Sequence, residues 1–176
     1  MIPYSLDSKK ITAAMDLWLG KRGVSRKEIA DVVMWAQKEY YPDLSMAECE
    51  AAVDKVLQKR EVQNALLTGI QLDLLAEEKK LIPALQEMIE NDEKLYGCDE
   101  VLALSIVNVY GSIGFTNFGY IDKVKPGVLA RLNSKSDNEL HTFLDDLVGA
   151  VAASAASYIA HRKQAAAEEK VDFLRE

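Results

Sequence analysis

The sequence predicts an all-α fold, a single-domain multi-helix bundle of irregular or orthogonal packing spanning residues 1–176, on three observations. Apolar residues recur at helical spacing in one segment after another. Ser/Thr/Asp caps and two complete capping-box signatures stand at the starts of those segments. No alternating apolar/polar stretch exceeds four residues, and no repeat of solenoid period is present. A chain of 176 residues buries enough surface to hold one core without disulfides or a structural metal.

Asp7 or Ser8 can cap a first helix, whose stripe of Ile11, Met15, Trp18 and Leu19 runs to a stop near Gly20 and Gly23. Ser25 and Glu28 form a capping box that opens a second helix with Ile29, Val32, Val33 and Ala36, ending by Tyr41-Pro42. Ser45 and Glu48 repeat the device for a third, through Val53, Val56 and Leu57. A fourth runs from about Arg60 to Glu78, and Pro83 suits the first turn of a fifth. Asp99-Glu100 lead into a helix at Val101 that is expected to loosen at Gly111-Ser112-Ile113-Gly114. A short helical piece near Phe118–Lys123 is then broken by Lys125-Pro126-Gly127. The last long helix is expected to start near Asp137 and pass Ile159, with a charged end, frayed or exposed, from about residue 162.

The formal charge is -7, from 28 acidic and 21 basic residues. That balance argues against nucleic acid as a partner, since phosphate backbones reward Lys and Arg. Cys49 and Cys98 suggest neither a disulfide framework nor a zinc site, so a reducing, cytoplasmic setting is expected, and no signal peptide is read at Met1–Tyr4. Two uncharged runs, Val101–Ile121 and Leu147–Ala160, read as buried core helices. The first is long enough for a span but carries Ser105, Asn108, Ser112, Thr116, Asn117 and three glycines.

The acid surplus falls in residues 61–146, and several acids stand at the edges of those apolar runs: Asp99-Glu100, Asp122 and Asp145-Asp146. A buried carboxylate is costly unless it is paired or binds a metal. Three such sets converging on one cation would give an all-oxygen donor set of the kind Mg²⁺ takes. The alternative is capping, because a helix N-terminus favours acids. Asp99 and Glu100 fit that alternative; Asp145 and Asp146 are expected inside a helix, about 100° apart, unable to face one partner equally. Lys125, three after Asp122, can share its face as an ion pair or as a phosphate-contacting cation. A polar stripe of Arg60, Asn64, Thr68 and Gln71, with Asp73 nearby, serves either inter-helix hydrogen bonding or phosphate binding with Arg60 as clamp. His141, four before Asp145, is expected on the same helix face, and Gly149, Ala153, Ala156 and Ala160 read as a close-packing seam. No Cys-x5-Arg loop or GxSxG elbow is present, so side-chain nucleophilic catalysis has little support.

Taken together, Asp99-Glu100, Asp122-Lys123-Val124-Lys125-Pro126 and Asp145-Asp146-Leu147-Val148-Gly149-Ala150 resemble the phosphatidylglycerophosphatase A family, whose pattern is Asp-Glu, Asp-x-x-Lys-Pro and Asp-Asp-x-Val followed by small residues. Over nearly its whole length the chain is similar to a soluble Gram-positive branch that includes low-temperature-requirement C proteins. The membrane-embedded members' spans and early Gly-Thr-x-Gly-Ser turn are absent, and Leu67–Ile70 is a poor match to that turn. The resemblance implies Mg²⁺-dependent removal of the terminal phosphate of phosphatidylglycerophosphate. It implies metal ligands and catalytic groups at Asp99, Glu100, Asp122, Asp145 and Asp146, with Lys125 toward phosphate. The mechanism expected from such a site has Glu100 or Asp146 as the base, and the polar stripe offers Arg60, Asn64 and Thr68 as substrate contacts. The partner expected is an anionic phospholipid headgroup, met by a cytoplasmic protein in peripheral contact with the inner face of the membrane; homo-oligomers are compatible with it. Two further readings are a Mg²⁺ phosphohydrolase of a soluble ester and a non-catalytic helical interaction module.

Overall fold

The computed structural model describes residues 7–134 and 139–173, and among them there is no strand. The helices are α1 (Ser8–Lys21), α2 (Arg26–Gln37), α3 (Met46–Leu57), α4 (Arg60–Glu77), α5 (Pro83–Asn91), α6 (Cys98–Val107), α7 (Gly111–Val124), α8 (Val128–Leu132) and α9 (Leu144–Phe173), with a 3₁₀ turn at Asn108–Tyr110. The predicted local caps form. Asp7 accepts from the Lys9 and Lys10 amides, and Ser25 and Ser45 each complete a capping box with Glu28 and Glu48.

The first half of α9 is the axis of the molecule. Phe143, Leu144, Leu147, Val148, Val151 and Ile159 are buried together with Ala150, Ala152, Ala153, Ala155 and Ala156. A helix apolar on all sides belongs in a core, and its alanines let α2, α3, α4, α6, α7 and α8 all pack on it. The charged end continues as helix to Phe173, with Gln164–Glu168 exposed.

Three boundaries differ from the sequence reading. Asp137, the expected start of the last helix, lies outside the described residues; α9 itself begins at Leu144, which puts Asp145 and Asp146 in its first turn rather than its interior. The uncharged run breaks within the expected stretch, at Gly111 with φ +70°, but in place of a short piece near Phe118–Lys123 α7 runs unbroken from Gly111 to Val124. Gly114 is there because Val107 approaches: an added Cβ would lie 3.1 Å from Val107 Cγ1 and 3.2 Å from its carbonyl. Finally, α8 forms after Lys125-Pro126-Gly127, where no helix was expected.

The segment Cys98–Val124 is long and apolar enough to cross a membrane by length and composition. It doubles back instead. Asp99 at the start of α6 and Asp122 near the end of α7 both reach the neighbourhood of Asp146, while the Tyr110 carbonyl at the tip accepts from Ser157 Oγ at 3.0 Å. The two arms, ten and 14 residues, rise only about 15 and 21 Å, short of the ~30 Å of a hydrocarbon core. Nor is the uncharged run Val101–Ile121 buried as expected: Val101, Val109, Phe115 and Tyr120 are exposed. Leu147–Ala160 does form core, its residues buried through Ser157.

Candidate metal centre

Two helix N-termini bring the acids together. In α6 the Asp99 Oδ1 accepts from the Glu100 amide at 3.0 Å; in α9 the Asp145 Oδ1 accepts from the Asp146 amide at 2.9 Å. Each pair thus sits in a first turn, where the helix dipole favours negative charge. Asp99, Glu100 and Asp146 each offer an oxygen within 4.8 Å of the others. Hard carboxylate oxygens at this spacing, two of the three residues buried, form a donor set able to hold a metal ion.

The other two expected ligands, Asp122 and Asp145, gather with Asp146 around Lys125. The Lys125 ammonium is 2.6 Å from Asp122 Oδ1, 2.8 Å from Asp145 Oδ2 and 2.8 Å from Asp146 Oδ1. The expectation that Asp145 and Asp146 cannot serve one partner is overturned: at a helix end both side chains fold over the terminus toward the same ammonium. Lys125 ends α7 in the left-handed region, φ +49°, immediately before Pro126. Left-handed backbone is uncommon for a residue with a Cβ, and here it turns the ammonium back onto the acids.

Three carboxylates face one ammonium, with Asp99 and Glu100 adding charge beside Asp146, and protons make up part of the difference. Burial pushes Asp146 up to about 8, helped by the neighbouring Asp145 charge. Burial, with the Glu100 hydrogen bond and charge, raises Asp99 to about 7. Asp145 is raised by burial too, with Lys125 opposing. For Lys125, burial alone would lower the pKa, but Asp145 and Asp146 more than reverse it, and the ammonium stays charged.

The remaining expected residues are not gathered here. Asn64 and Thr68 line a groove of about 500 Å³ with Trp18, Leu67 and Gln71, in which none of the five acids takes part. Thr68 Oγ1 donates to its own helix at the Asn64 carbonyl, 2.7 Å. Arg60 stands at the opposite end of α4: Lys59 lies over the Tyr110 ring, and Tyr110 bonds Ser157, eleven positions or ~16 Å along α9 from Asp146. Its Nη1 is buried and finds no hydrogen-bond partner among the described residues. His141 precedes α9 rather than sharing a face with Asp145; its Nδ1 is 3.1 Å from Arg22 Nη2, and burial and that guanidinium lower its pKa.

Sequence reasoning missed the groups that hold this end of α9. Asp73 of α4, fully buried, accepts from the Phe143 and Leu144 amides, each at 3.1 Å. Glu77, one turn on, accepts from the Leu140 amide and from Arg22, each at 2.7 Å. Arg22 also donates to the Leu140 carbonyl, and Thr142 Oγ1 to the Ile89 carbonyl at 2.7 Å. The signal available was an acid between Leu72 and Leu74, four before another acid. The small-residue seam was read correctly as packing, with Gly149 facing Phe118, Ile121 and Leu129 at an ordinary 3.7 Å. The tight approach is elsewhere, at Gly69, where a Cβ would lie 2.3 Å from Leu147 Cδ1 and 2.9 Å from Phe143 Cβ.

The family model described as phosphatidylglycerophosphatase A matches residues 18–161. The uncharacterized protein YutG of Bacillus subtilis is 65% identical over 142 residues, covering 81% of this chain and 86% of that protein. YpjQ of the same organism, also uncharacterized, is 53% identical over 152 residues, 86% of this chain and 85% of that one. The crystal structure of the low temperature requirement C protein from Listeria monocytogenes superposes with a TM-score of 0.86 at 57% identity, covering 88% of this chain and 97% of that chain.

Proposed function

The chain belongs to the phosphatidylglycerophosphatase A family, and from that premise we propose that it hydrolyses the terminal phosphate of phosphatidylglycerophosphate, using Mg²⁺ at the acid cluster and leaving phosphatidylglycerol. The observation that carries this reading is the meeting of Asp99, Glu100 and Asp146 from two helix N-termini beside the Lys125 ammonium. So many carboxylates repel a phosphate monoester unless a divalent cation stands between them. All-oxygen donors with room for waters and substrate oxygens suit Mg²⁺ better than softer ions. When bound, Mg²⁺ supplies charge neutralisation at the phosphoryl group and a more acidic water.

The chain's own residues do the rest. Asp99, Glu100 and Asp146 hold the ion. Glu100, exposed and outside the Lys125 cluster, is the carboxylate placed to take a proton from the attacking water. Lys125 would donate to a phosphoryl oxygen at a loaded site, with Asp122 and Asp145 keeping the ammonium in place. The headgroup is met by a protein in peripheral contact with the cytoplasmic face of the membrane.

Phosphate release from phosphatidylglycerophosphate in mixed micelles is expected with Mg²⁺ and is expected to vanish with EDTA. Turnover confined to water-soluble phosphate esters would replace the lipid with a soluble substrate. No turnover and no metal binding would leave a helical interaction module.

The raised carboxyls give this reading a pH signature. Asp99 and Asp146 have folded pKa values above the ordinary carboxylate value of about 4. The folded chain therefore binds more protons than the unfolded one between about pH 4 and 8, and stability from this source falls as pH rises through that window. A cation requires the deprotonated form. The rise in Tm caused by Mg²⁺ is thus expected to be larger at pH 8 than at pH 6; an equal rise at both would remove Asp99 and Asp146 from the binding set.

A further inference from the structure

We propose that Asp73 is a positioning residue for the metal centre: by holding two successive amides of the segment entering α9, it fixes the rotation and height of the turn that presents Asp145 and Asp146. The proposal rests on the metal-binding reading above and deepens it.

Two hydrogen bonds from one carboxylate to adjacent amides differ from a single cap. One bond leaves a helix end free to pivot about it. The Oδ1 contact to Phe143 and the Oδ2 contact to Leu144, both 3.1 Å, remove that freedom. The residues before them are tied as well, Leu140 by Glu77 and Arg22, and Thr142 by the Ile89 carbonyl. Asp145 and Asp146 follow immediately, their carboxylates 2.8 Å from Lys125.

The choice of group is costly if capping is its only task. Helices α1, α2 and α3 are capped by exposed residues of their own, Asp7, Ser25 and Ser45. At α9 the corresponding position is the buried Phe143, whose ring packs edge-on against Tyr96 at 5.9 Å. The cap is instead supplied from α4, by a fully buried carboxylate that feels the Asp145 charge. Burial drives its pKa well up, the two amides oppose, and the Asp145 charge adds to the rise. A stability device would avoid that repulsion; a rigid arm reaching from one core helix to the mouth of another requires a group that can grip two amides at once.

The test is Mn²⁺ binding by isothermal titration calorimetry, used as a probe of the Mg²⁺ centre, on wild type, Asp73→Asn, Glu77→Ala and Ser25→Ala. Asp73→Asn keeps its size and one good acceptor, and is expected to weaken Mn²⁺ about 10-fold or more, the scale of outer-shell losses. Glu77→Ala loosens the same segment one turn away and is expected to weaken Mn²⁺ in the same direction. It decides the matter if Asp73→Asn does not fold. Ser25→Ala removes an ordinary cap and is expected to lower Tm with Mn²⁺ affinity unchanged. Wild-type affinity in folded Asp73→Asn, or in Glu77→Ala should the first not fold, would make Asp73 a structural cap and overturn the proposal. A wild type that binds no Mn²⁺ would instead refute the metal centre, and the proposal with it.

Discussion

Asp146→Asn is expected to lower Mg²⁺-dependent phosphate release by about 10²–10⁴-fold while leaving Tm unchanged or higher. Among the five acids, Asp146 alone belongs to both groups, offering an oxygen beside Asp99 and Glu100 and another contact to the Lys125 ammonium. Asparagine keeps the shape but removes the charge that a hard cation needs. A loss on the scale of a general acid or base follows if this carboxylate also governs the neighbouring proton transfer. Stability moves the other way, because burial and the Asp145 charge already disfavour ionised Asp146, and Asp122 and Asp145 still hold Lys125. Clustered like charges at a site are a cost that function imposes on the fold. Phosphate release and a thermal melt on one preparation check both halves. Activity within a few-fold of wild type would remove Asp146 from the centre.

Gly69→Val is expected to be the most damaging single change to the scaffold, lowering stability by about 3 kcal/mol, the upper part of the range for overpacking a filled interior. Two effects compete at this position. A glycine within a helix costs up to ~1 kcal/mol relative to alanine, so a side chain should help. Here it meets Leu147 Cδ1 at 2.3 Å and Phe143 Cβ at 2.9 Å. The leucine end can swing away, but Phe143 Cβ is fixed to the backbone that Asp73 holds, so the clash wins. A change of this size lowers Tm by roughly 6–12 °C in a chain of this length. Gly149→Ala is the matched control. Its new Cβ has nothing nearer than 3.7 Å, and it is expected to be neutral or slightly stabilising by calorimetry.

The elements whose ends are decided locally were readable from the sequence. Ser25 with Glu28 and Ser45 with Glu48 carry their capping chemistry within four residues, and both helices start where those boxes put them. The start of α9 was not readable, because its cap is Asp73, some 70 residues earlier. Nor was the length of α7: the break expected over Gly111–Gly114 falls at Gly111, but Gly114 answers to the close approach of Val107 and the helix runs on through it. The same division runs through the site. Position at the edges of apolar runs, and then the resemblance to a family, picked out five acids and Lys125, and the fold brings those six side chains together. Periodicity on α4 picked out Arg60, Asn64 and Thr68, but a period says only which residues share a face, not which neighbour that face meets. The face meeting the acid end of α9 carries Gly69 and Asp73.

The two acid pairs are first turns of helices packed against each other, and this has an entropic consequence. Asp99 and Asp146 lose their freedom when the protein folds, not when a ligand arrives. Ordering a side chain at a binding site usually subtracts about 0.5–1.5 kcal/mol from the affinity it provides; here most of that subtraction has already been made. The mutual repulsion of the carboxylates is stored in the same way, sustained by the burial of α9. A cation arriving there would meet a constellation already assembled, and what it would gain is the release of electrostatic stress rather than the organisation of loose groups.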